Sequence, residues 1–449
     1  MAYSSGHTGH PSRRSMILGS AAIGATAVTA LSSCTEAPAE GGADGDLEWD
    51  EASGGYVMEE EVATGKAPLT LWVEYEEYGD AIVSAFQDVH PDVKIDVEIV
   101  AKVDAGERMA LDGEAGSGAD VFTLQYDQLS SAIDAGTAAP IGQYEDALTE
   151  RSGPVFAAAV SREGAMHGVP IATESIALFY NRTLLKSLTG SEEPATTWEE
   201  ITDLAASYND SAANTWTIRF LAGEMYYAYP VLSSLGWRLY PDGDLEDPQL
   251  DSSELTAGLE YFASLRDIWD VNSADATYDS VENEFAKGET PYVITGPWAF
   301  GDFDPAAESL GFEYGVTTLP TAADGSTALS LAGLSVAVVS GYTPYPAAAR
   351  VLADFMASEA GAEALYSSIG AVPALTPELS SSIEGLADDE HAQGVLAQSQ
   401  NSDLVEEIPA YMYTVGNALV TQVWDGILEV GDAQSQAQTD YQNLSSLGE

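Results

Sequence analysis

The sequence predicts an α/β fold made of two lobes, each a mainly parallel sheet flanked by helices. Two observations predict it. Strand and helix patterns alternate in two separate blocks, and the hydrophobic fraction of 45% is sufficient for a sizeable core. When strands and helices alternate along the chain, the strands pair in parallel and the helices cover both faces of the sheet.

The first block holds three strands and two helices. Apolar and polar residues alternate over 93–100, as in a half-exposed strand, whereas the helices show apolar residues at helical spacing. The predicted order is strand 69–73, helix 80–89, strand 93–100, helix 103–111 and strand 120–124. Ligands bind beyond the carboxyl ends of parallel strands, so residues 74–77 and 125–127 are expected at the mouth of a site.

The second block starts with a strand at 175–181. Thr197 and Glu200 have the spacing of a capping box and predict the start of a helix. Further elements are predicted as helices at 251–270 and 282–287 and a strand at 292–295.

The charge balance is extreme, because 15 Lys+Arg against 72 Asp+Glu gives 15 − 72 = −57. Such an acidic chain argues against a nucleic-acid partner and is typical of proteins kept soluble in concentrated salt, which predicts a halophilic host. The acidic group Asp242, Asp244, Glu246 and Asp247 lacks the spacing of a calcium loop and is interpreted as a solvated turn. With one cysteine the chain forms no internal disulfide and no Cys₄ zinc site, and we predict neither a metal nor a cofactor.

The first 34 residues resemble a twin-arginine export signal followed by a lipobox. Arg13 and Arg14 precede the apolar run 16–31, and Leu31-Ser32-Ser33-Cys34 follows it. Cys34 is then the predicted lipid attachment site, with an unprocessed signal anchor as the alternative. Residues 35–67 are rich in Glu, Ala, Gly and Asp and are predicted to be a disordered acidic linker, so the folded part would lie outside the cell and tethered to its membrane.

Five stretches occur in the order expected of one protein family. They are 168–181 (GVPIATESIALFYN), 197–200 (TWEE), 285–289 (FAKGE), 295–299 (TGPWA) and 314–320 (YGVTTLP). From about residue 68 onward the chain resembles the maltose- and maltodextrin-binding proteins, the family 1 extracellular solute-binding proteins that serve ABC importers.

The resemblance implies a monomeric, periplasmic-binding-protein-like fold whose two lobes are joined by three hinge crossings. The crossings are expected near residues 171–174, 330–334 and 388–393. The N-lobe would comprise residues 68–172 and 334–388, and the C-lobe residues 173–333 and 389–449.

A pyranose presents apolar C–H faces and a rim of hydroxyls, so a sugar site combines aromatic rings with carboxylates and amides. By resemblance, the predicted sugar-binding residues are Gln125, Asp127, Glu174, Glu224, Tyr226, Trp298 and Tyr413, together with Glu76 in the loop after the first strand. Alternatives remain for several of them: Tyr226 could pack in the core, Asp127 could cap the next helix, and Glu174 could brace the crossing. Core positions are the better interpretation for Trp72, Trp198, Trp237, Trp269 and Trp424.

The chain also departs from the family at three positions. Leu124 and Met412 stand where an aromatic residue is common, and Gln128 stands where a basic one is common. The loop after the first strand contains no Lys. The resemblance therefore implies a sugar but leaves maltose in doubt, with another disaccharide, a polyol or a shorter glycan as alternatives.

The predicted function is that of a lipid-anchored binding component, not an enzyme, which captures a di- or oligosaccharide by lobe closure and delivers it to an ABC permease. Maltose, maltodextrin and trehalose are the candidate sugars. The alternative is a secreted glycoside hydrolase that uses paired carboxylates, such as Glu174 and Glu224, in the same cleft. A surface-layer component that binds no ligand is a third hypothesis.

Overall fold

Two sheets with separate hydrophobic cores divide the folded chain into two lobes. The computed structural model describes residues 47–446 except 242, 323–324, 332, 404 and 406–407. The predicted signal, Cys34 and Asp242 lie outside the described residues. All described residues belong to one compact unit.

The chain enters the described region through a short hairpin and a single helical turn, and then builds most of the N-lobe. These elements are β1 (Trp49–Asp50), β2 (Gly55–Tyr56), α1 (Glu60–Ala63), β3 (Leu69–Val73), α2 (Glu76–Val89), β4 (Ile95–Ile99), α3 (Lys102–Asp112), β5 (Val121–Gln125), α4 (Leu129–Asp134), α5 (Glu145–Ser152), α6 (Pro154–Ala159), β6 (Ser161–Arg162), β7 (Ala165–Met166) and β8 (Val169–Thr173).

The next segment forms the C-lobe sheet and the helices around it. Its elements are β9 (Ala177–Asn181), α7 (Arg182–Thr189), α8 (Trp198–Tyr208), β10 (Ile218–Arg219), α9 (Met225–Ser234), α10 (Ser253–Ser264), α11 (Tyr278–Ala286), β11 (Tyr292–Thr295), α12 (Phe300–Leu310) and β12 (Tyr314–Thr317).

The chain then returns to the N-lobe and ends in the C-lobe. β13 (Ser330–Leu331) precedes the return, and the returning elements are β14 (Leu334–Val339), α13 (Pro346–Met356), α14 (Glu359–Ile369), β15 (Val372–Pro373) and α15 (Pro377–Ser380). The final elements are α16 (Glu390–Ser399), β16 (Ser402–Asp403), α17 (Ala410–Trp424) and α18 (Val430–Ser445).

Both sheets are mixed. The N-lobe sheet has the order β15-β8-β14-β5-β3-β4 and the C-lobe sheet the order β10-β11-β9-β12. The two-lobed α/β class is confirmed, but the expected mainly parallel pairing is corrected, since β14 is antiparallel to β5 and β8, and β9 is antiparallel to β11 and β12. The position of the hinge explains this pairing. β14 and β9 begin at the hinge, whereas the strands beside them end at the hinge, so the directions are opposite.

Three segments were expected to connect the two lobes, and the chain passes between the two sheets near the first two of them. The chain passes from β8 to β9 after Thr173, and from β13 to β14 before Leu334. The third was expected near residues 388–393; α16, which begins at Glu390, packs against β12 of the C-lobe. The hydroxyls of Ser175 and Ser330, on the C-lobe side of the first two crossings, are 2.7 Å apart.

The core interpretation of the five tryptophans is confirmed. Each is at most 2% exposed: Trp72 in the N-lobe, and Trp198, Trp237, Trp269 and Trp424 in the C-lobe. In the C-lobe, Trp269 and Trp424 lie 5.9 Å apart between ring centroids, and Phe220 contacts both.

Residues 47–63, here called the N-terminal segment, pack against the N-lobe. The prediction of a disordered linker up to residue 67 is therefore wrong for the described part of that stretch. The ring of Tyr56 lies 5.0 Å from Trp49 and 5.3 Å from Tyr144 between centroids, and Val62 is fully buried. The buried side chains of Tyr56 and Val62, with the partly buried Trp49 packed against the same core, order a stretch whose average composition is polar.

A carboxylate fastens this segment to a helix almost 290 residues further along the chain. The two oxygens of Glu59 accept the backbone N–H groups of Ala347 and Ala348, each at 2.9 Å. These donors lie in the first turn of α13, whose own N-cap residue provides no capping side chain. Helix N-termini have unpaired N–H groups and favour negative charge, so Glu59 supplies the missing cap.

Within the described part of the chain, no helix has the length and apolar character needed to cross a membrane.

Candidate functional site

Polar side chains converge where strands of the N-lobe sheet end beside the hinge. Glu74 follows β3, Gln125 ends β5, Glu174 follows β8, and Lys102 begins the helix after β4. Because β3, β4 and β5 run in parallel, their carboxyl ends meet at one edge of the sheet, as was expected for residues 74–77 and 125–127.

Lys102 holds two of these carboxylates together. Its Nζ lies 3.3 Å from Oε2 of Glu74 and also donates to Oε1 of Glu174. Gln125 Nε2 donates to the other oxygen of Glu174 at 3.0 Å. The side chains of Lys102 and Glu174 are only 13% and 18% exposed, so the ion pair is largely shielded from solvent.

Two tyrosines of the C-lobe reach this group directly. Tyr413 in α17 donates its hydroxyl to Oδ2 of Asp127 at 3.1 Å, and Tyr226 in α9 donates to the carbonyl oxygen of Glu174 at 3.1 Å. We call Glu74, Lys102, Gln125, Asp127, Glu174, Tyr226 and Tyr413 the cleft cluster. It contains five of the eight predicted sugar-binding residues, drawn from both lobes.

Two alternatives to sugar binding were left open: Asp127 could cap the next helix, and Tyr226 could pack in the core. Asp127 lies in a 3-10 turn, Tyr126–Gln128, and its side chain makes no capping bond to the turn or to the helix that follows. Burial raises the pKa of Asp127, and the nearby Glu174 raises it further. Tyr227 and Tyr229 are buried in the C-lobe core, whereas Tyr226 is half-buried.

Among the described residues, Glu224 and Trp298 make no side-chain hydrogen bond to the cleft cluster; Glu224 lies beside Tyr278, and Trp298 contacts Glu282. We call these four residues the C-lobe shelf. Trp298 is 40% exposed and its indole Nε1 donates to Oε1 of Glu282 at 3.1 Å. A side chain at Gly296 would collide with the indole ring, so glycine is required for the ring to lie over the backbone there.

Tyr278 links the shelf to the cleft cluster and was missed by the sequence analysis. Its hydroxyl is 3.3 Å from that of Tyr227, whose ring is 5.6 Å from Tyr226 between centroids. The ring is 47% exposed although Tyr278 opens a helix whose N-cap, Thr277, forms a capping box. The sequence carries no signal for this exposure, because Trp198 also directly follows a capping-box threonine and is buried in the C-lobe core.

A cavity of about 410 Å³ opens beside the shelf. It is lined by Gly223, Glu224, Ser273, Ala274, Ala276, Thr277, Tyr278 and Thr421. Burial alone raises the pKa of Glu224, because no charged neighbour opposes the loss of hydration. Glu224 therefore offers hydrogen-bond acceptors inside a partly desolvated space.

Glu76 is exposed in the first turn of α2, and within the described chain it makes no hydrogen bond or ion pair to the cleft cluster. Its neighbour Glu74 does. Leu124 and Met412, where the family often has aromatic residues, are both fully buried and contribute to the cores.

The arrangement suits a ligand with many hydroxyls and apolar faces. Carboxylates and the Gln125 amide can accept or donate hydrogen bonds, while the exposed rings of Trp298 and Tyr278 offer flat apolar surface.

Mild acid should stabilise the native fold. Burial is the main cause of the raised pKa values of Asp127, Glu224 and Glu282, and also of Asp120 and Asp354. The native state thus binds protons more tightly than the unfolded chain, so stability falls as pH rises from the ordinary carboxyl pKa through these raised values. We expect the free energy of unfolding to be larger at pH 5 than at pH 7 by on the order of 1 kcal/mol.

Chemical denaturation at the two pH values measures this difference, in about 1 M salt so that the net charge is screened. Replacing Glu282 by Gln should reduce the difference. A stability that increases from pH 5 to pH 7 would contradict the expectation.

Residues 81–393 match the family described as bacterial extracellular solute-binding proteins. The chain belongs to this family. A solute-binding protein of Streptococcus pneumoniae, described as a maltooligosaccharide ABC transporter lipoprotein, is 24% identical over 379 residues, which cover 82% of this chain and 86% of that one. A galactooligosaccharide-binding protein of Bacillus subtilis is 27% identical over 392 residues, covering 82% and 87%.

A third solute-binding relative is a maltotriose-binding protein of Pyrococcus abyssi, 25% identical over 266 residues; the match spans 58% of this chain and 55% of that protein. Among solved structures, a cyclo/maltodextrin-binding protein complexed with maltotetraose superposes with a TM-score of 0.73 at 25% identity, over 84% of this chain and 97% of the other. A maltose-binding protein of Listeria monocytogenes, in complex with maltose, gives 0.71 at 21% identity over 85% and 98%, which shows the shared fold.

Proposed function

We propose that this solute-binding protein captures a neutral di- or oligosaccharide between its lobes, as the substrate-binding component of an ABC importer. The observation that carries the proposal is the pair of hydrogen bonds from Tyr413 to Asp127 and from Tyr226 to Glu174, which bring polar groups of both lobes to one place. The relatives named as binding maltooligosaccharides, galactooligosaccharides and maltotriose support a sugar as the ligand.

The ligand's contacts are divided between the lobes. We assign hydrogen bonding to Gln125, Asp127, Glu174 and Glu224, and stacking to Trp298, with Tyr226 and Tyr413 approaching from the C-lobe. Glu76 remains a peripheral candidate, because its exposed position after β3 faces no described partner in the cleft cluster.

A ligand that contacts both lobes favours the closed form. If the unliganded protein were closed for about 1% of the time, reversing that ratio would require about 5.5 kcal/mol of preference for the closed state. The closed form would then dock on the permease.

We further propose that the protein is exported through a twin-arginine signal, lipid-anchored at Cys34 and active in concentrated salt. The S. pneumoniae relative described as a lipoprotein supports the anchor, and the net charge of −57 supports the salt. Mass spectrometry of the membrane fraction tests the anchor, since a diacylglyceryl-modified Cys34 would be the new N-terminus.

A thermal-shift and calorimetry screen tests the binding function. The probes are maltose, maltotriose, trehalose, sucrose and a galactooligosaccharide, in concentrated salt. A true ligand at 100 times its Kd should stabilise the fold by about 2.7 kcal/mol by mass action. Asp127→Ala should lower or abolish the shift, whereas Asp134→Ala, which changes an exposed carboxylate on the same lobe, should leave it unchanged.

If none of these sugars shifts the unfolding temperature, the proposal fails. The hydrolase alternative makes a different prediction, since it requires one carboxyl group to protonate a leaving group and a second to act as nucleophile or base. Chromatography after prolonged incubation should recover the bound sugar intact, and released products would favour the enzyme.

A further inference from the structure

Lys102 occupies an unfavourable position for a cation. It is the first residue of α3, and its preceding residue Ala101 provides no capping side chain. The N-terminus of a helix carries partial positive charge, so a cation there is disfavoured. Its side chain is also only 13% exposed, which adds a cost of lost hydration.

The carboxylates around Lys102 offset these costs. Burial lowers the pKa of Lys102, but the charges of Glu174 and Glu74 outweigh burial and raise it overall, so the ammonium stays protonated. The cleft cluster holds three carboxyl groups, those of Glu74, Asp127 and Glu174. Lys102 is the one cation among its members.

Removing this ammonium would change which ligand the site attracts. Glu74 and Glu174 would lose their counter-ion, and partly buried carboxylates without a neutralising charge are costly even though Gln125 still donates to Glu174. A cationic group on the ligand could then replace the lost ammonium. In the wild type the Lys102 ammonium already neutralises these carboxylates, and its positive charge repels a cationic group on an incoming ligand.

We propose that Lys102 is an internal counter-ion that makes the site select uncharged sugars over cationic amino sugars. The inference rests on the proposed sugar-binding function. It assigns Lys102 as a specificity-determining residue that acts by occupying the Glu74 and Glu174 carboxylates.

The test compares matched ligands that differ by one charge. Maltose and trehalose are each paired with their monoamino analogue, in a mildly acidic buffer that protonates the amine, and Kd is measured by calorimetry. The wild type should prefer the neutral sugar. In Lys102→Met the ratio of the two affinities should shift toward the amino sugar by about 10-fold or more, equivalent to about 1.4 kcal/mol.

Three further variants test whether the change in the affinity ratio is due to the charge of Lys102. Lys102→Arg keeps the charge and should retain the wild-type ratio. Glu74→Gln added to Lys102→Met should reduce the gain for the amino sugar. Lys66→Met removes the same charge from a side chain that is 63% exposed and should leave the ratio unchanged.

An equal loss of affinity for both members of a pair in Lys102→Met would overturn the inference, because it would indicate only a structural brace. An unchanged ratio would overturn it as well. If Lys102→Met does not fold, Lys102→Gln, which keeps hydrogen-bond donors without charge, provides the same comparison. A wild type that binds no neutral sugar refutes the proposed function instead.

Discussion

Replacing Trp298 by alanine is expected to weaken sugar binding by about 10- to 100-fold while leaving the fold intact. The ring is 40% exposed, lies over Gly296 and is oriented by the hydrogen bond to Glu282. A fixed, solvent-facing ring contributes stacking area at little entropic cost, and buried aromatic contacts are commonly among the strongest in binding sites. Calorimetric Kd values of the two proteins measure the effect.

Tyr342→Ala is the matched control. Tyr342 is also 40% exposed, and it follows β14 at the edge of the N-lobe sheet opposite the cleft cluster, because β14 is antiparallel to β5. Its substitution should leave Kd unchanged. A Trp298→Ala variant with wild-type affinity would place the ligand elsewhere on the protein.

Replacing Tyr56 by alanine should lower the free energy of unfolding by about 3–5 kcal/mol, the range for truncating a large buried aromatic side chain. Tyr56 is 5% exposed, contacts the rings of Trp49 and Tyr144, and its hydroxyl accepts the backbone N–H of Gln143 at 2.8 Å. Denaturant titration monitored by tryptophan fluorescence measures the change.

Val57→Ala, at the adjacent position, is the control for this prediction. Val57 is 44% exposed, so its truncation should change stability by no more than about 0.5 kcal/mol. If Tyr56→Ala were equally mild, the N-terminal segment would contribute little to the N-lobe.

Local signals predicted regular elements well. β3 has the bounds expected from its apolar run, as does β11, and the capping box of Thr197 and Glu200 starts α8 as predicted. The helix expected over 251–270 is shorter, because α10 ends at Ser264 and a 3-10 turn follows. The amphipathic pattern continues through that turn, so periodicity could not reveal the end.

The N-terminal segment could not be predicted from composition. Its window is dominated by Glu, Gly and Ala, and the burial of Trp49, Tyr56 and Val62 depends on partners far along the chain. The Glu59 cap on α13 likewise joins two sites with no sequence relationship. Tertiary contacts of this kind override a low average hydrophobicity.

The candidate site was predicted in part. Asp127, Glu174, Tyr226 and Tyr413 were expected from the family resemblance, and the fold brings them together. Residues 74–77 were expected at the site because they follow a strand, and of these Glu74 rather than Glu76 joins the cleft cluster. Lys102 was not predicted, because a basic residue was expected only in the loop after β3 or directly after Asp127. A cation supplied by the start of another helix is visible only once the strands are assembled.

The attachment of Glu59 to α13 also determines which part of the protein a pulling force would act on. A pull on the chain ahead of residue 47 would pass through the Trp49 and Tyr56 rings and the Glu59 carboxylate into the N-lobe. The force would therefore not pass through the hinge, and the C-lobe could still rotate relative to the held N-lobe.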